Sequence, residues 1–399
     1  MNYADIIIVG GGAAGYFSAV NIAEKNRNLS ILILEKGKEV LQKVKISGGG
    51  RCNVTHACFE PKPLSKFYPR GEKELIGPFH QFCSGDTVAW FEDRGVPLKI
   101  EEDGRMFPQS DNSETIVKCL TSAANKNKVQ LAVNSRVDAL IPPSNSQDLW
   151  KVISGKNQIK CKSVVLTSGS NPKVWKLLES IGHSIVSAVP SLFTFNIKDN
   201  RLQGLMGISV PNAQVKVVGE KLEANGPLLI THWGLSGPGI LKLSAWGANK
   251  LNNLKYRFKV NVNWVYPISN EEVFESLKEQ RTQSAKQKVG TQSLFNLPKR
   301  LWQKMILASD ISEEKRWADI NNKMLQNLSN QISNATFEVN GKSTFKEEFV
   351  TAGGVDLKEI NMKTFESKIH DWRLSWSRFI ASPCQSALIC TGASGPRGA

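Results

Sequence analysis

Asp5-Ile-Ile-Ile-Val-Gly-Gly-Gly-Ala-Ala-Gly15 is the stretch that decides the fold. Four apolar residues, Ile6 to Val9, run straight into Gly10-x-Gly12-x-x-Gly15, and a helical pattern begins at once. Gly10 permits a tight turn, Gly12 admits a pyrophosphate close to backbone, and Gly15 lets the helix sit on the strand. Amides opening that helix, those of Ala13 and Ala14 included, meet phosphate with roughly half a unit of positive charge. Tyr16, Phe17, Val20 and Ala23 form an apolar helical face, Asn28 to Ser30 break it, and Ile31-Leu-Ile-Leu34 reads as a second buried strand. It ends at Glu35, about 20 residues past the last glycine, where a carboxylate can take both hydroxyls of an adenosine ribose. Strand, glycine turn, helix, strand and acid together predict a dinucleotide-binding βαβ unit.

A chain of 399 residues is too long for one ordinary core and divides into two or three domains. With 41% apolar and 22% charged residues it has a globular composition, and no apolar run is long enough for a membrane span. The first strand starts by residue 5, which leaves no room for a signal peptide. Seven cysteines without a CxxC pair suit a reducing compartment, so a cytoplasmic protein is expected. No His/Cys/Asp/Glu grouping has metal-ligand spacing. The net charge of +15 admits two readings: lysines spread over a basic enzyme, or affinity for an anionic partner such as RNA. No block of five or six like charges occurs, which favours the first.

Outward from the βαβ unit, helices are expected near 74–94 and 113–126. Short strands are expected at Val129–Val133 and Val137–Ile141, then a buried strand over Lys162–Gly169. Near Pro190 the pattern changes to period two, in Gln214–Val218 and Tyr256–Val262, as in half-buried antiparallel strands. Three amphipathic helices follow: Glu271–Lys288, Pro298–Ser309 (Pro298 in the first turn) and Ser312–Ile332. Thr336–Val339, Asn340-Gly341 and Phe345–Val350 read as a hairpin. The expected organisation is a discontinuous α/β domain, 1–190 plus 342–399, interrupted by an insert at 191–341.

Ser47-Gly-Gly-Gly-Arg-Cys-Asn-Val-Thr-His56 is the second informative stretch. Three glycines in a row cost about 1 kcal/mol each against alanine in an ordered segment, which argues for a use of the bare amides. Arg51 offers a donor fork to phosphate or carboxylate, and Asn53 can bond the edge of a polar ring.

With Glu35-Lys36 and the first glycine motif, this block resembles the BaiN/YhiN-like flavoproteins, known as NAD(P)/FAD-dependent or aminoacetone-oxidase-like oxidoreductases. Arg105–Pro108, Val189–Phe195, Gly226–Pro238 and Phe349–Asp356 agree, so the resemblance covers residues 1 to about 370. It implies a Rossmann-like FAD-binding fold of the two-dinucleotide type, with a β-barrel-like insert and a small helical subdomain. It also implies site residues. Gly10, Gly12, Ala13, Ala14 and Gly15 would meet the pyrophosphate, and Glu35 with Lys36 the ribose. Gly49, Gly50, Arg51, Cys52 and Asn53 would pass the pyrophosphate and flavin. Val137 would touch adenine, Thr167-Ser168-Gly169 would lie beside the cofactor, and Gly353-Gly354 would approach the flavin ring. Cys52 and Cys58, with five residues between them, lack the spacing of a flavin-facing redox disulfide. His56 and His232 read as loop or packing residues, and no catalytic acid or base is assigned.

The implied activity is an FAD-dependent oxidoreductase acting on a small molecule, with NAD(P)H as its expected electron donor. Two alternatives stand beside it. One is an RNA- or tRNA-directed flavoprotein that uses the basic charge. The other is a non-catalytic remnant, because the family pattern stops after Lys368: the final Gly-Gly-rich helix start is replaced by Asp371–Cys384 and a Gly392–Ala399 ending, as a lost reading frame would produce.

Overall fold

Two compact units divide the chain in the computed structural model, which describes residues 2–145, 147–343 and 350–368. One takes the described residues to Val189 and again from Val350; the other begins at Pro190. The atypical tail after Lys368 lies outside the described residues.

The first unit is built on β1 (Tyr3–Val9), α1 (Ala13–Lys25), β2 (Ile31–Leu34), α2 (Ser113–Lys126), β3 (Gln130–Ala132), β4 (Ala139–Ile141), β5 (Trp150–Ser154), β6 (Asn157–Leu166) and α3 (Pro172–Ser180). Its sheet runs β3-β2-β1-β6-β5-β4. The β3-β2-β1-β6 portion is parallel and the β6-β5-β4 portion antiparallel. Side-chain alternation sends Ile8, Ile31 and Ile33 to the face covered by α1 and α2, and Ile7, Val9, Leu32 and Leu34 to the other. Both faces are covered, so β1 and β2 read as unbroken apolar runs. This doubly covered, mixed sheet is the Rossmann-like α/β class expected. β6 starts at Asn157, five residues before the expected Lys162. Ile185–Ser191 and Val350–Val355 form a separate two-stranded sheet.

Among the described residues the second unit holds seven antiparallel strands in the order Ala335–Val339, Phe258–Asn263, Ser209–Val217, Glu223–Thr231, Gly234–Ser236, Thr194–Asn196, Lys342–Ser343. Its two edge strands are joined by Asn340-Gly341 alone, so the sheet must curl until its ends meet. That curl is what makes the insert barrel-like. Of the expected hairpin, the first strand is present as Ala335–Val339, paired with Phe258–Asn263, and Lys342–Ser343 after the turn pairs with Thr194–Asn196. Most of its second strand lies outside the described residues.

This unit also holds helices Pro238–Trp246, Ala248–Asn253, Asn270–Gln283, Lys299–Ala308 and Asn322–Ser333. Asn322–Ser333 starts ten residues later than expected, because the Asn321 side chain caps it by accepting the Met324 amide, and Trp317–Asp319 before it is a 3-10 turn. Pro298 lies just before its helix, with ψ at 131°, instead of within the first turn. No described helix is long and apolar enough to cross a membrane.

Candidate functional site

The crossover from β1 to α1 is held open by three glycines with different duties. Gly10 has φ +116°, and a Cβ there would lie 2.6 Å from the Thr167 carbonyl oxygen, so only glycine can pass beside β6. A Cβ on Gly15 would lie 2.0 Å from the Gly10 carbonyl oxygen, which fixes how closely α1 sits on the turn. Gly12 differs: a Cβ there would meet nothing within 4 Å. It precedes α1 with no side-chain cap, so the first amides of the helix have no internal acceptor and face an open space. An anion is the natural partner of such a helix start.

That space is a cavity of about 460 Å³ lined by Gly10 to Ala14, Glu35 to Gly37, Leu41 to Val44 and Thr167 to Pro172. A second cavity, of about 1010 Å³, shares Gly10, Glu35, Lys36, Gly37, Ser168, Asn171 and Pro172 with the first. It continues past Val137, Ser154 to Asn157 and Lys173. Together they exceed the size of an ordinary small-ligand pocket. Thr167 braces the junction, its hydroxyl donating to the carbonyls of Val9 (3.1 Å) and Gly10 (3.0 Å). α3 begins on the same space, its Asn171 side chain accepting the Lys173 amide.

Glu35 sits at the seam. Its two carboxylate oxygens accept the Gly11 amide at 2.7 Å and the Gly37 amide at 2.8 Å. A carboxylate oxygen accepts two bonds, so each keeps capacity for a ligand hydroxyl. Burial, and then the charge of Glu35, push the nearby Tyr16 phenol above its ordinary pKa.

The glycine loop takes a left-handed course, with φ +59°, +68° and +84° at Gly48, Gly49 and Gly50. A Cβ on Gly48 would strike the Asn53 nitrogen at 2.8 Å, whereas Gly49 and Gly50 face nothing within 4 Å. Asn53 carries a buried side-chain oxygen with no hydrogen-bond partner among the described residues. An orphaned acceptor in a loop whose glycines leave open space fits a polar ring with an N–H edge. Arg51 is engaged within the protein: its guanidinium pairs with Glu101 and Asp111 and lies 4.0 Å over the Phe107 ring. Cys52 is buried at φ +63° and is not bonded to Cys58. His56 packs on Phe67, its Nε2 3.2 Å from the Asp103 carbonyl.

The structure thus gathers Gly10, Gly12, Ala13, Ala14, Glu35, Lys36, Val137, Thr167, Ser168 and Gly169 around the two adjoining cavities. Gly49 to Asn53 line neither, nor do Gly353 and Gly354. Gly353, at φ +118°, has a packing duty: a Cβ would lie 2.7 Å from the Ser187 carbonyl oxygen on the paired strand. Gly11, Gly37 and Asn171 were not singled out in the sequence. Gly11 and Gly37 carried a signal, since both flank motif residues; Asn171 follows the strand-end turn and precedes a proline, an ordinary cap signature.

A Rossmann-like unit with an uncapped helix start and an amide-pinned carboxylate defines a dinucleotide-binding class of protein. The chain belongs to the HI0933-like Rossmann-domain family, the BaiN/YhiN-type flavoprotein oxidoreductases, matching it over residues 4–372. It is 28% identical over 376 residues to the ribosomal RNA dihydrouridine synthase of Haemophilus influenzae, covering 92% of this chain and 89% of that one. It is 23% identical over 377 residues to the 3-dehydro-bile acid delta(4,6)-reductase of Clostridium scindens, covering 91% and 90%. Among solved structures, the 3-ketosteroid-delta4-(5alpha)-dehydrogenase of Rhodococcus jostii RHA1 shares the fold, with a TM-score of 0.50 at 14% identity over 99% of this chain and 93% of that one.

Proposed function

We propose that the protein is an FAD-dependent oxidoreductase that reduces a ring double bond of a pyrimidine base in ribosomal RNA, with NAD(P)H as the reductant. The observation that carries the cofactor is the open face of Gly12 beside the pinned Glu35 carboxylate. FAD, when bound, supplies hydride transfer to carbon. The chain's part is to hold it. Gly10, Gly12, Ala13, Ala14 and Gly15 give helix-start amides to the pyrophosphate, and Glu35 and Lys36 take the ribose. Val137 packs the adenine, and Thr167, Ser168 and Gly169 wall the cavity. Gly49, Gly50 and Asn53 serve the polar ring, with Cys52 and the strand pair at Gly353 and Gly354 as neighbours. Arg51, tied to Glu101 and Asp111, fixes that loop.

RNA is preferred to a small molecule as substrate on two supports. The first is the name of the relative matched along nine-tenths of the chain. The second is the net charge of +15, which, although spread without a like-charge block, still attracts a polyanion at long range. An rRNA substrate agrees with the expected cytoplasmic location. The Clostridium scindens relative supports a second reading, reduction of a conjugated ring in a free small molecule.

Anaerobic spectroscopy tests both. The purified chain should show flavin bands that bleach with NADH or NADPH. Unmodified ribosomal RNA should then restore the colour, and mass spectrometry should find a uracil that has gained two hydrogens. Recovery of colour with a steroid enone and not with RNA would select the second reading, and a colourless chain that FAD does not restore would reject both.

A further inference from the structure

We propose that the hairpin tip His232-Trp233 and the cavity beside it bind an unstacked base of single-stranded RNA. The inference rests on the RNA reading above and gives that reading a place in the unit that begins at Pro190.

Strands Glu223–Thr231 and Gly234–Ser236 are joined by His232 and Trp233 alone. Gly234, at φ +142°, presses the chain against its neighbour, where a Cβ would lie 2.3 Å from the Phe195 carbonyl oxygen. With the backbone pinned there, both tip side chains are left on the solvent side. Trp233 keeps 48% of its surface exposed, and its ring centroid lies 4.6 Å from that of His232. The two rings are tilted by 47°, so the exposed Trp233 indole is the face on which a flat ring can lie, with His232 at its edge, and stacking of this kind serves every base.

His232 also lines a cavity of about 460 Å³. Ile197 and Leu202 give it a buried apolar floor, while Asn200 and Gln203 offer amide donors and acceptors suited to a base edge. The charge around it is positive. Lys198 lines the cavity, exposed, and makes no ion pair with the described residues. Arg300 donates to the carbonyl of Gly204, another lining residue. Asp199, the one acidic lining residue among those described, is paired with Arg201 at 2.7 Å. The exposed Trp233 ring beside the cavity, and the His232 ring, amide edges and Lys198 that line it, match the three chemistries of a nucleotide in a strand: base face, base edge and phosphate.

The test is a fluorescence-anisotropy titration of the full purified chain with a short labelled oligouridine, repeated across salt concentrations. Trp233→Ala should weaken binding about tenfold or more, while Trp233→Phe keeps most of it. Lys198→Ala should lower the salt slope by about 0.7, the value for one phosphate contact on a single strand. Visible spectrum and melting temperature should not move in any variant. Salt-sensitive binding that Trp233→Ala and Lys198→Ala leave untouched overturns this site and spares the RNA reading. Absence of binding by the unaltered chain at low salt overturns both. Free UMP binding as tightly as the oligomer would overturn the assignment to a strand.

Discussion

The Gly11 amide donates to the Glu35 carboxylate at 2.7 Å, closing the turn after the first strand onto the end of the second. The bond sets the acid before any ligand arrives. Glu35→Ala removes this acceptor, leaves the Gly37 amide without its partner and deletes the proposed ribose contact. Charged hydrogen bonds contribute about 1.5–3 kcal/mol, so the FAD dissociation constant should rise about ten- to hundredfold. Titration by flavin fluorescence measures it; an unchanged constant would remove Glu35 from the site.

Gly12 and Gly15 separate cofactor binding from folding. A methyl at Gly15 meets backbone at 2.0 Å, an overlap that only movement of α1 relieves, and Gly15→Ala should cost about 1–3 kcal/mol of stability. A methyl at Gly12 meets no protein atom within 4 Å, so Gly12→Ala should melt within a few degrees of the parent. It should nonetheless bind FAD much more weakly, since the methyl stands where the pyrophosphate belongs. Melting curves with and without FAD decide it: equal FAD-induced stabilisation in Gly12→Ala and parent would refute the phosphate position.

How much of this was readable in the chain depended on contact distance along it. The β1-α1-β2 unit is local, and its glycines, apolar runs and terminal Glu35 identify it without help. The insertion of β6 beside β1 joins Ile8 to Val165, and no pattern in either strand names the other. The pairing of Lys342–Ser343 with Thr194–Asn196 is hidden for the same reason. Arg51 looked like an available cation because its acids, Glu101 and Asp111, lie 50 and 60 residues on. The late start of Asn322–Ser333 was local and legible: Asn321 is a capping residue, and the preceding residues carried too weak a period to be helix.

Asp5 should make stability fall in acid. The Lys162 ammonium, then the amide and hydroxyl of Ser30, hold its carboxyl far below the ordinary carboxylate range. A group whose folded pKa is depressed contributes stability that is present above its unfolded value, near 4, and lost as pH falls toward its folded value. Asp5→Asn should therefore destabilise the protein at neutral pH and narrow the difference below about pH 4. Urea unfolding at a series of pH values measures it, and a constant difference down to pH 2 would contradict the linkage.

His183 joins Glu359 to Ser367 in an arrangement that resembles a hydrolytic triad. Its Nδ1 lies 2.9 Å from Glu359 Oε2 and its Nε2 3.2 Å from Ser367 Oγ. Burial argues against nucleophilic chemistry there. The His183 side chain has no exposed surface, and Ser367 is 8% exposed, so no ester could reach the hydroxyl. The arrangement is better suited to clamping the segment after Val355 onto the turn that follows α3, since Glu359 also accepts the Ser184 amide at 3.1 Å. Burial alone would raise the Glu359 carboxyl; the bonds from Ser184 and His183 outweigh it and hold it below its ordinary range. Its stabilisation is then present at neutral pH and lost as pH falls through the acid range. His183→Ala, which deletes a buried ring and strands two partners, should cost about 2–4 kcal/mol. Ser367→Ala should cost about 1 kcal/mol and leave reduction of the flavin by NAD(P)H unchanged. Hydrolysis of p-nitrophenyl acetate that disappears in Ser367→Ala would reverse the assignment from clamp to catalyst.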